Sequence, residues 1–86
     1  MSNLTTAEHR LTNLAVRLGL TSRDLGVNET IGWYRIEKCP SPFSGQPGMY
    51  RAVGYPSQFG NGLGASWREA EATLREMAAR KQERAA

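Results

Sequence analysis

A glycine-spaced run that leads into a capped helix restricts the fold of this sequence more than any other feature. The run is Gly60-Asn61-Gly62-Leu63-Gly64-Ala65-Ser66-Trp67-Arg68-Glu69. Glycine at alternate positions leaves one face of an extended segment without side chains. Ser66 is a favoured N-cap residue, and Glu69 follows at the capping-box spacing. We therefore expect a strand over residues 58–65 that admits a close neighbour, followed at once by a helix.

The helix that begins after Ser66 carries a single apolar stripe. Its members are Ala70, Leu74, Met77 and Ala78. They recur at the i, i+4, i+7 and i+8 spacing of a helix with one buried face. We predict a helix over residues 66–81 and a frayed tail over residues 82–86.

A second amphipathic helix is predicted over residues 6–18, after a capping-box pair formed by Thr5 and Glu8. Its apolar stripe consists of Ala7, Leu11, Leu14, Ala15 and Leu18. Gly19 is the residue type that closes a helix in the left-handed conformation, with Leu20 placed to fold back on the last turn. Residues 21–26 form a further short turn, and the linker to residue 30 is longer than the usual span of about two to six residues.

Residues 33–39 have the composition and the alternation of a half-buried strand. Tyr34 and Ile36 share one face, which we assign to the core. Arg35 and Glu37 share the other face.

A loop and a second strand follow. The prolines and glycines of residues 40–48 are incompatible with regular structure. They form a loop with Phe43 exposed near its tip. Residues 49–55 are the next strand, so the two strands most simply make an antiparallel hairpin.

The whole chain of 86 residues forms one domain, because a chain of this size buries only about 60% of its unfolded surface and has no core to spare for a second unit. The class is α+β, in the order α-β-β-β-α. An N-terminal helix and linker occupy residues 1–30, the sheet residues 31–65, the C-terminal helix residues 66–81 and a tail residues 82–86.

The composition excludes several classes of protein. No apolar run approaches the length of about 20 residues that a membrane span needs, and the start lacks the pattern of a secretion signal. We therefore expect a cytoplasmic protein without membrane contact. The net charge of +3 is spread along the chain and does not form the dense basic face of a dedicated nucleic-acid binder.

The element order together with Gly60-x-Gly62-x-Gly64-x-Ser66-x-x-Glu69-Ala70 resembles the double-stranded-RNA-binding domain. The similarity extends to Arg17-Leu18-Gly19-Leu20, at the end of the first helix. It implies an antiparallel three-stranded sheet with both helices packed on one face. It also implies RNA binding through phosphate and 2′-hydroxyl contacts.

The chain departs from that family where phosphates would be bound. The family has phosphate-bridging lysines at positions that hold Trp67, Arg68 and Glu71 here, and only Arg68 keeps the charge. The loop over residues 40–48 lacks the histidine that the family usually offers to the minor groove. These differences favour a protein partner over a nucleic acid.

A second resemblance points to inhibitors. Tyr50-Arg51-Ala52-Val53, followed by Gly64-Ala65-Ser66-Trp67-Arg68-Glu69-Ala70 and a helix, looks like the small domain of HicB-type antitoxins, which neutralise a partner toxin. Small phage-encoded inhibitors of bacterial defence, including anti-CRISPR proteins, share the size and the lack of catalytic residues.

The sequence offers few residues for catalysis or for metal binding. A nucleophilic Cys39 would need a base, and His9 alone on the first helix is a poor candidate. The same two residues cannot supply a zinc ligand set. We expect no enzyme activity, no metal and no cofactor. Gly62, Gly64 and Ser66 form a candidate anion site before a helix N-terminus, with simple turn geometry as the alternative.

Aromatic and arginine side chains are the remaining candidates for function. Large side chains that the apolar stripes do not require can form an exposed patch for a protein partner, or a stacking and phosphate-binding surface for nucleic acid. The alternative for the two tryptophans is that they complete a small core. An exposed sheet edge could also pair two copies as a homodimer. The candidate partner-binding residues are Trp33, Arg35, Phe43, Arg51, Trp67 and Arg68.

Overall fold

The structure is a computed structural model that describes residues 6–27, 34–41, 43–54 and 58–85. Its elements are α1 (Thr6–Arg17), β1 (Tyr34–Cys39), β2 (Met49–Gly54), β3 (Gln58–Gly64) and α2 (Trp67–Ala85). The predicted α+β class and element order are confirmed. Expectations about Thr5, Trp33, Tyr55 and residues 28–32 lie outside the described residues.

The strands form one antiparallel sheet in the order β1-β2-β3. Ile36, Ala52 and Leu63 project from the three strands into one buried cluster. Leu11 of α1 and Leu74 of α2 are buried in the same cluster, so both helices pack on one face of the sheet. Both predicted helical stripes face this core.

Two of the predicted helix-end signals are formed in the structure. Gly19 has φ 77°, and the N–H groups of Gly19 and Leu20 donate to the carbonyls of Val16 and Ala15, which closes α1 as the sequence predicted. At the start of α2 the Ser66 hydroxyl accepts the N–H of Glu69 at 3.2 Å.

The predicted end of the second helix at Lys81 was wrong, because α2 continues to Ala85. The residues after Lys81 are good helix formers and contain no glycine or proline. Nothing in the local sequence therefore stops the helix at that point.

Polar side chains of α1 cover the outer edge of β1. The N–H of Lys38 donates to Glu8 Oε2 at 2.7 Å, and the N–H of Ile36 donates to Thr12 Oγ1 at 2.8 Å. Glu8 is only 7% exposed, so this carboxylate is a buried part of the helix–sheet contact. The amides of Ile36 and Lys38, which point away from β2, are thereby paired within the chain.

The opposite edge of the sheet is covered by the turn that follows α1. The N–H of Asn61 in β3 donates to the Leu25 carbonyl at 3.0 Å. Glycine is required at position 60, because a Cβ there would overlap that same carbonyl oxygen. Edge-to-edge pairing of two copies would have to displace such contacts at either edge.

The turn over residues 21–26 contains a reciprocal capping box that the sequence analysis did not identify. The N–H of Thr21 donates to Asp24 Oδ2 at 2.8 Å, and the N–H of Asp24 donates to Thr21 Oγ1 at 3.2 Å. Lys81 of α2 donates to the same Asp24 oxygen at 2.7 Å. The carboxylate therefore holds the turn and links it to α2.

Replacing Glu8 by alanine should destabilise the fold. Glu8→Ala leaves the Lys38 N–H without this acceptor, and we expect the free energy of unfolding to fall by about 1–3 kcal/mol in urea denaturation. Glu8→Gln keeps an acceptor for this N–H, so its free energy of unfolding should fall by less. The matched control is Glu76→Ala, which breaks an exposed ion pair with Arg80 and should change stability by no more than about 1 kcal/mol. Equal losses of stability in Glu8→Ala and in the control would contradict a buried structural role for the Glu8 carboxylate.

The stability contribution of Asp24 should depend on pH. Burial favours the neutral acid, but hydrogen bonds from Lys81 and Thr21 outweigh it and lower the pKa of Asp24. A carboxylate with a lowered folded-state pKa adds stability at neutral pH, and that stability is lost as the pH falls through the folded pKa. We expect Asp24→Asn to be less stable than wild type at pH about 7, with the difference shrinking below about pH 4. A difference that is unchanged by pH would refute the assignment.

Candidate functional site

Of the six predicted partner-binding residues, Trp33 lies outside the described residues, and the other five do not share one surface. Arg35 and Arg51 alternate with core residues along β1 and β2, so they lie on the sheet face that points away from the helices. Trp67 and Arg68 begin α2, on the helical side of the molecule. Phe43 lies in the loop between β1 and β2 and is 66% exposed, as predicted.

The outer face of the sheet forms a ladder of neighbouring side chains that we call the sheet-face patch. The register places Cys39 beside Met49, Glu37 beside Arg51, and Arg35 beside Val53. On the other side, Arg51 neighbours Gly62 and Val53 neighbours Phe59. The patch consists of Arg35, Glu37, Cys39, Met49, Arg51, Val53, Phe59 and Gly62.

Glu37 and Arg51 lie in the middle row of the patch, and Arg35 lies in an end row beside the buried Val53. Arg35 Nε lies 3.1 Å from Glu37 Oε1. Arg51 Nη1 donates to the Gly60 carbonyl at 3.0 Å. Met49 is 37% exposed and Phe59 is 60% exposed. The patch thus presents positioned guanidinium groups together with solvent-exposed apolar side chains.

Cys39 has the electrostatics of an unreactive thiol. Burial raises the pKa of the thiol, and the Glu37 carboxylate raises it further against the opposing effect of Arg51. The Sγ atom contacts the Glu37 carbonyl at 3.7 Å, while His9 is exposed on α1. A raised pKa keeps the group as a thiol at neutral pH, which opposes nucleophilic chemistry. Within the described residues no group of His, Cys, Asp or Glu side chains is placed to hold a metal ion.

The second surface is a groove between α1 and α2 that we call the Trp67 groove. It encloses about 480 Å³. Trp67, Glu71 and Arg75 line one wall at successive turns of α2. The residues that line the groove are Thr6, Ala7, Arg10, Leu11, Asn13, Leu14, Arg17, Trp67, Glu71 and Arg75.

Arginine side chains surround the Trp67 indole. The guanidinium carbons of Arg10 and Arg68 lie 5.3 and 5.4 Å from the ring centroid, within the range of cation–π attraction. Trp67 remains 37% exposed. It is therefore held in place between the helices and still reachable from solvent.

The three residues of the candidate anion site serve other purposes. The Glu69 carboxylate accepts the N–H of Ala65 at 3.1 Å, and the Ser66 hydroxyl accepts the N–H of Glu69. A side chain of this protein thus occupies the position where a bound anion would stabilise the start of α2. Gly62 lies in the sheet-face patch, where a Cβ would meet the Met49 side chain. The glycine spacing reflects separate close contacts along β3.

Sequence reasoning did not include Met49, Phe59 or Arg17 among the candidate residues. Met49 alternates with the buried Tyr50, which places it on the outer face once the strand is recognised. Arg10 and Arg17 are separated by two helical turns and therefore lie on one side of α1. The packing of α1 against α2 determines which element faces this side of α1. The spacing of residues within one helix does not predict how two helices pack.

Among the described residues no helix has both the length and the apolar composition needed to cross a bilayer.

Gly64 and Gly62 should respond differently to alanine. Gly64 has φ 150°, and a Cβ there would lie 2.6 Å from Glu69 Cβ in the first turn of α2. We expect Gly64→Ala to lower the free energy of unfolding by about 2 kcal/mol or more. In Gly62→Ala the new methyl group would lie 3.1 Å from the flexible Met49 Sδ, so the loss should be smaller. A Gly62 variant as unstable as the Gly64 variant in thermal denaturation would contradict this assignment.

Comparison with protein-family models, with curated proteins and with solved structures found no match. The likeness to double-stranded-RNA-binding domains and to HicB-type antitoxins therefore rests on the residues quoted above. Function has to be argued from the two surfaces.

Proposed function

We propose that this chain is a non-catalytic binding module that acts by contact with a protein partner, and that the sheet-face patch makes the contact. The observation that supports this most strongly is the exposure of Met49 and Phe59 beside Arg35 and Arg51 on a face that neither helix covers. Inhibition by covering a partner's surface, as in antitoxins or phage anti-defence proteins, is the simplest activity of such a module. A cytoplasmic location belongs to the same proposal.

The composition of the patch favours protein over other partners. Protein interfaces are enriched in aromatic residues, methionine and arginine relative to the rest of the surface. Phe59 and Met49 provide apolar anchors, and the ring of Phe59 loses little conformational freedom on binding. Of the five large apolar side chains that are exposed among the described residues, two lie on this face, which makes it a candidate contact surface.

The arginines of the patch are arranged for specificity. Arg35 is paired with Glu37, and Arg51 is held by the Gly60 carbonyl. These contacts fix the side chains before a partner arrives, which reduces the entropy lost on binding. They also leave the patch with both signs of charge, which suits a protein surface better than a row of phosphates.

Nucleic-acid binding is the alternative. A surface of these arginines for nucleic acid would need Arg35, Arg51 and Arg68 on one face, together with His9 or Arg10. The described geometry instead puts Arg68 near Arg10, on the other side of the sheet from Arg35 and Arg51. Arg35 and Arg51 are opposed by Glu37 on the sheet-face patch, so this face has only a weak attraction for a polyanion.

The proposal is tested by partner capture with matched variants. Immobilised wild-type protein, Phe59→Asp and Val16→Asp are each exposed to extract from the native host, and retained proteins are identified by mass spectrometry. Val16 is 63% exposed on α1, away from the sheet-face patch, and serves as the matched control. We expect a partner that wild type and Val16→Asp retain and that Phe59→Asp loses by at least about tenfold in affinity, the effect of one interface anchor. Thermal denaturation confirms that each variant is folded.

A partner retained equally by folded Phe59→Asp would contradict the proposed surface. Binding to RNA or DNA duplexes is measured in parallel at about 50 and 200 mM salt. An affinity that drops by about 1,000-fold or more over this range would support the nucleic-acid alternative in place of a protein partner.

A further inference from the structure

The Trp67 groove lies on the helical side of the molecule and takes no part in the contact proposed for the sheet-face patch. We infer that this groove binds an acidic, amphipathic segment of a protein, in helical form and about two turns long. This is a second binding site. It does not require that the sheet-face patch bind the same protein or any protein.

The charge of the groove selects an anionic occupant. Arg10, Arg17 and Arg75 line it, and Arg68 lies over Trp67 beside it, with Glu71 as the one acidic residue of the lining. Three ion pairs between described residues are Arg35–Glu37, Arg80–Glu76 and Lys81–Asp24. None of these pairs uses a groove arginine, so within the described residues the guanidinium groups are available to carboxylates, which they bind in a bidentate manner.

The floor of the groove offers an apolar contact as well. Ala7 and Leu14 are only partly buried there and pack against the core, and the exposed part of Trp67 adjoins them. A small anion would satisfy the arginines and leave this surface in contact with water. An amphipathic helix presents apolar side chains to the floor and acidic side chains to the rim, which is the helix-in-groove mode of recognition.

The length of the groove sets the length of the occupant. Trp67 and Arg75 are separated by about two turns of α2, or roughly 12 Å at 1.5 Å per residue. A segment of about two turns therefore spans the distance between the apolar anchor at Trp67 and the charge at Arg75.

A nucleic acid fits these features less well. Binding of single strands relies on bases that stack on aromatic rings. Trp67 is the one aromatic residue among those that line the groove, so the groove offers a single ring for stacking. The arginines of the rim would attract phosphates, but the apolar floor between them has no counterpart in a sugar-phosphate backbone.

The test uses two synthetic peptides of about 14 residues, or four helical turns. The first places leucine at helical i, i+3 and i+7 positions and glutamate on the opposite face. The second has glutamine in place of every glutamate. Each is titrated into ¹⁵N-labelled protein, and binding is followed by the Trp67 indole N–H resonance. We expect the glutamate peptide to bind at least about tenfold more tightly than the glutamine peptide, since tenfold corresponds to a single good charge-assisted contact.

Variants localise the binding. The double variant Arg10→Gln, Arg75→Gln should have an affinity for the glutamate peptide that is lower by about tenfold or more. The matched control, Arg23→Gln with Arg84→Gln, removes the same charge from exposed positions outside the groove and should bind as wild type does.

Three results would overturn the inference. The first is equal affinity of the protein for the two peptides, which includes the case in which neither binds at millimolar concentration. The second is an equal loss of affinity for the glutamate peptide in both double variants. The third is preferential binding of an RNA or DNA duplex, detected at the Trp67 resonance. Phe59→Asp should leave peptide binding unchanged. Loss of the captured partner in that variant therefore reports on the sheet-face patch alone, and the two proposals fail separately.

Discussion

A pair of hydrogen bonds between side chains of α1 and the backbone of β1 sets how the first helix docks on the sheet. Glu8 and Thr12 accept the N–H groups of Lys38 and Ile36, at positions where an edge strand would otherwise present unpaired donors. An unsatisfied buried donor costs about 1–3 kcal/mol. The contact therefore fixes both the position of α1 along the strand and the direction in which its apolar stripe points.

The position of α1 decides what each surface can do. With its apolar stripe on the sheet, α1 shares the core with Leu74 of α2 and leaves a groove between the two helices. Both helices then lie on one face, and the other face of the sheet keeps Met49 and Phe59 exposed. The same packing that completes a small core thus produces two surfaces of different chemistry. The sheet-face patch combines exposed apolar side chains with paired charges. The Trp67 groove has arginine side chains around a tryptophan.

Local sequence signals predicted the elements well, since each depends on residues a few positions apart. The Gly19 closure, the Ser66 cap and both apolar stripes follow from spacing within a helix. The contact from Glu8 to Lys38 joins residues 30 positions apart, and no local pattern specifies it. Glu8 was interpreted from the sequence as a capping residue, while its buried role depends on the docked strand. The end of α2 was misplaced because the residues after Lys81 give no stop signal.

The candidate site was predictable only in part, for the same reason. Strand alternation correctly placed Arg35 opposite Ile36, and the exposure of Phe43 followed from its loop. That Trp67 meets Arg10 could not be inferred, because it depends on the packing of two helices from opposite ends of the chain. The glycine run was a candidate anion site with simple turn geometry as the alternative, and in the structure its glycines lie against separate neighbours, Gly60 against Leu25 and Gly64 against Glu69.

Amide hydrogen exchange of the unmodified protein tests the docking of α1 most directly. If Glu8 and Thr12 hold the edge of β1, the amides of Lys38 and Ile36 should exchange as slowly as those of the middle strand β2, on the timescale of global unfolding. Exchange of these two amides at the rate of exposed loop amides, with β2 still protected, would contradict the account. It would show that α1 does not cover the edge on which both proposed surfaces depend.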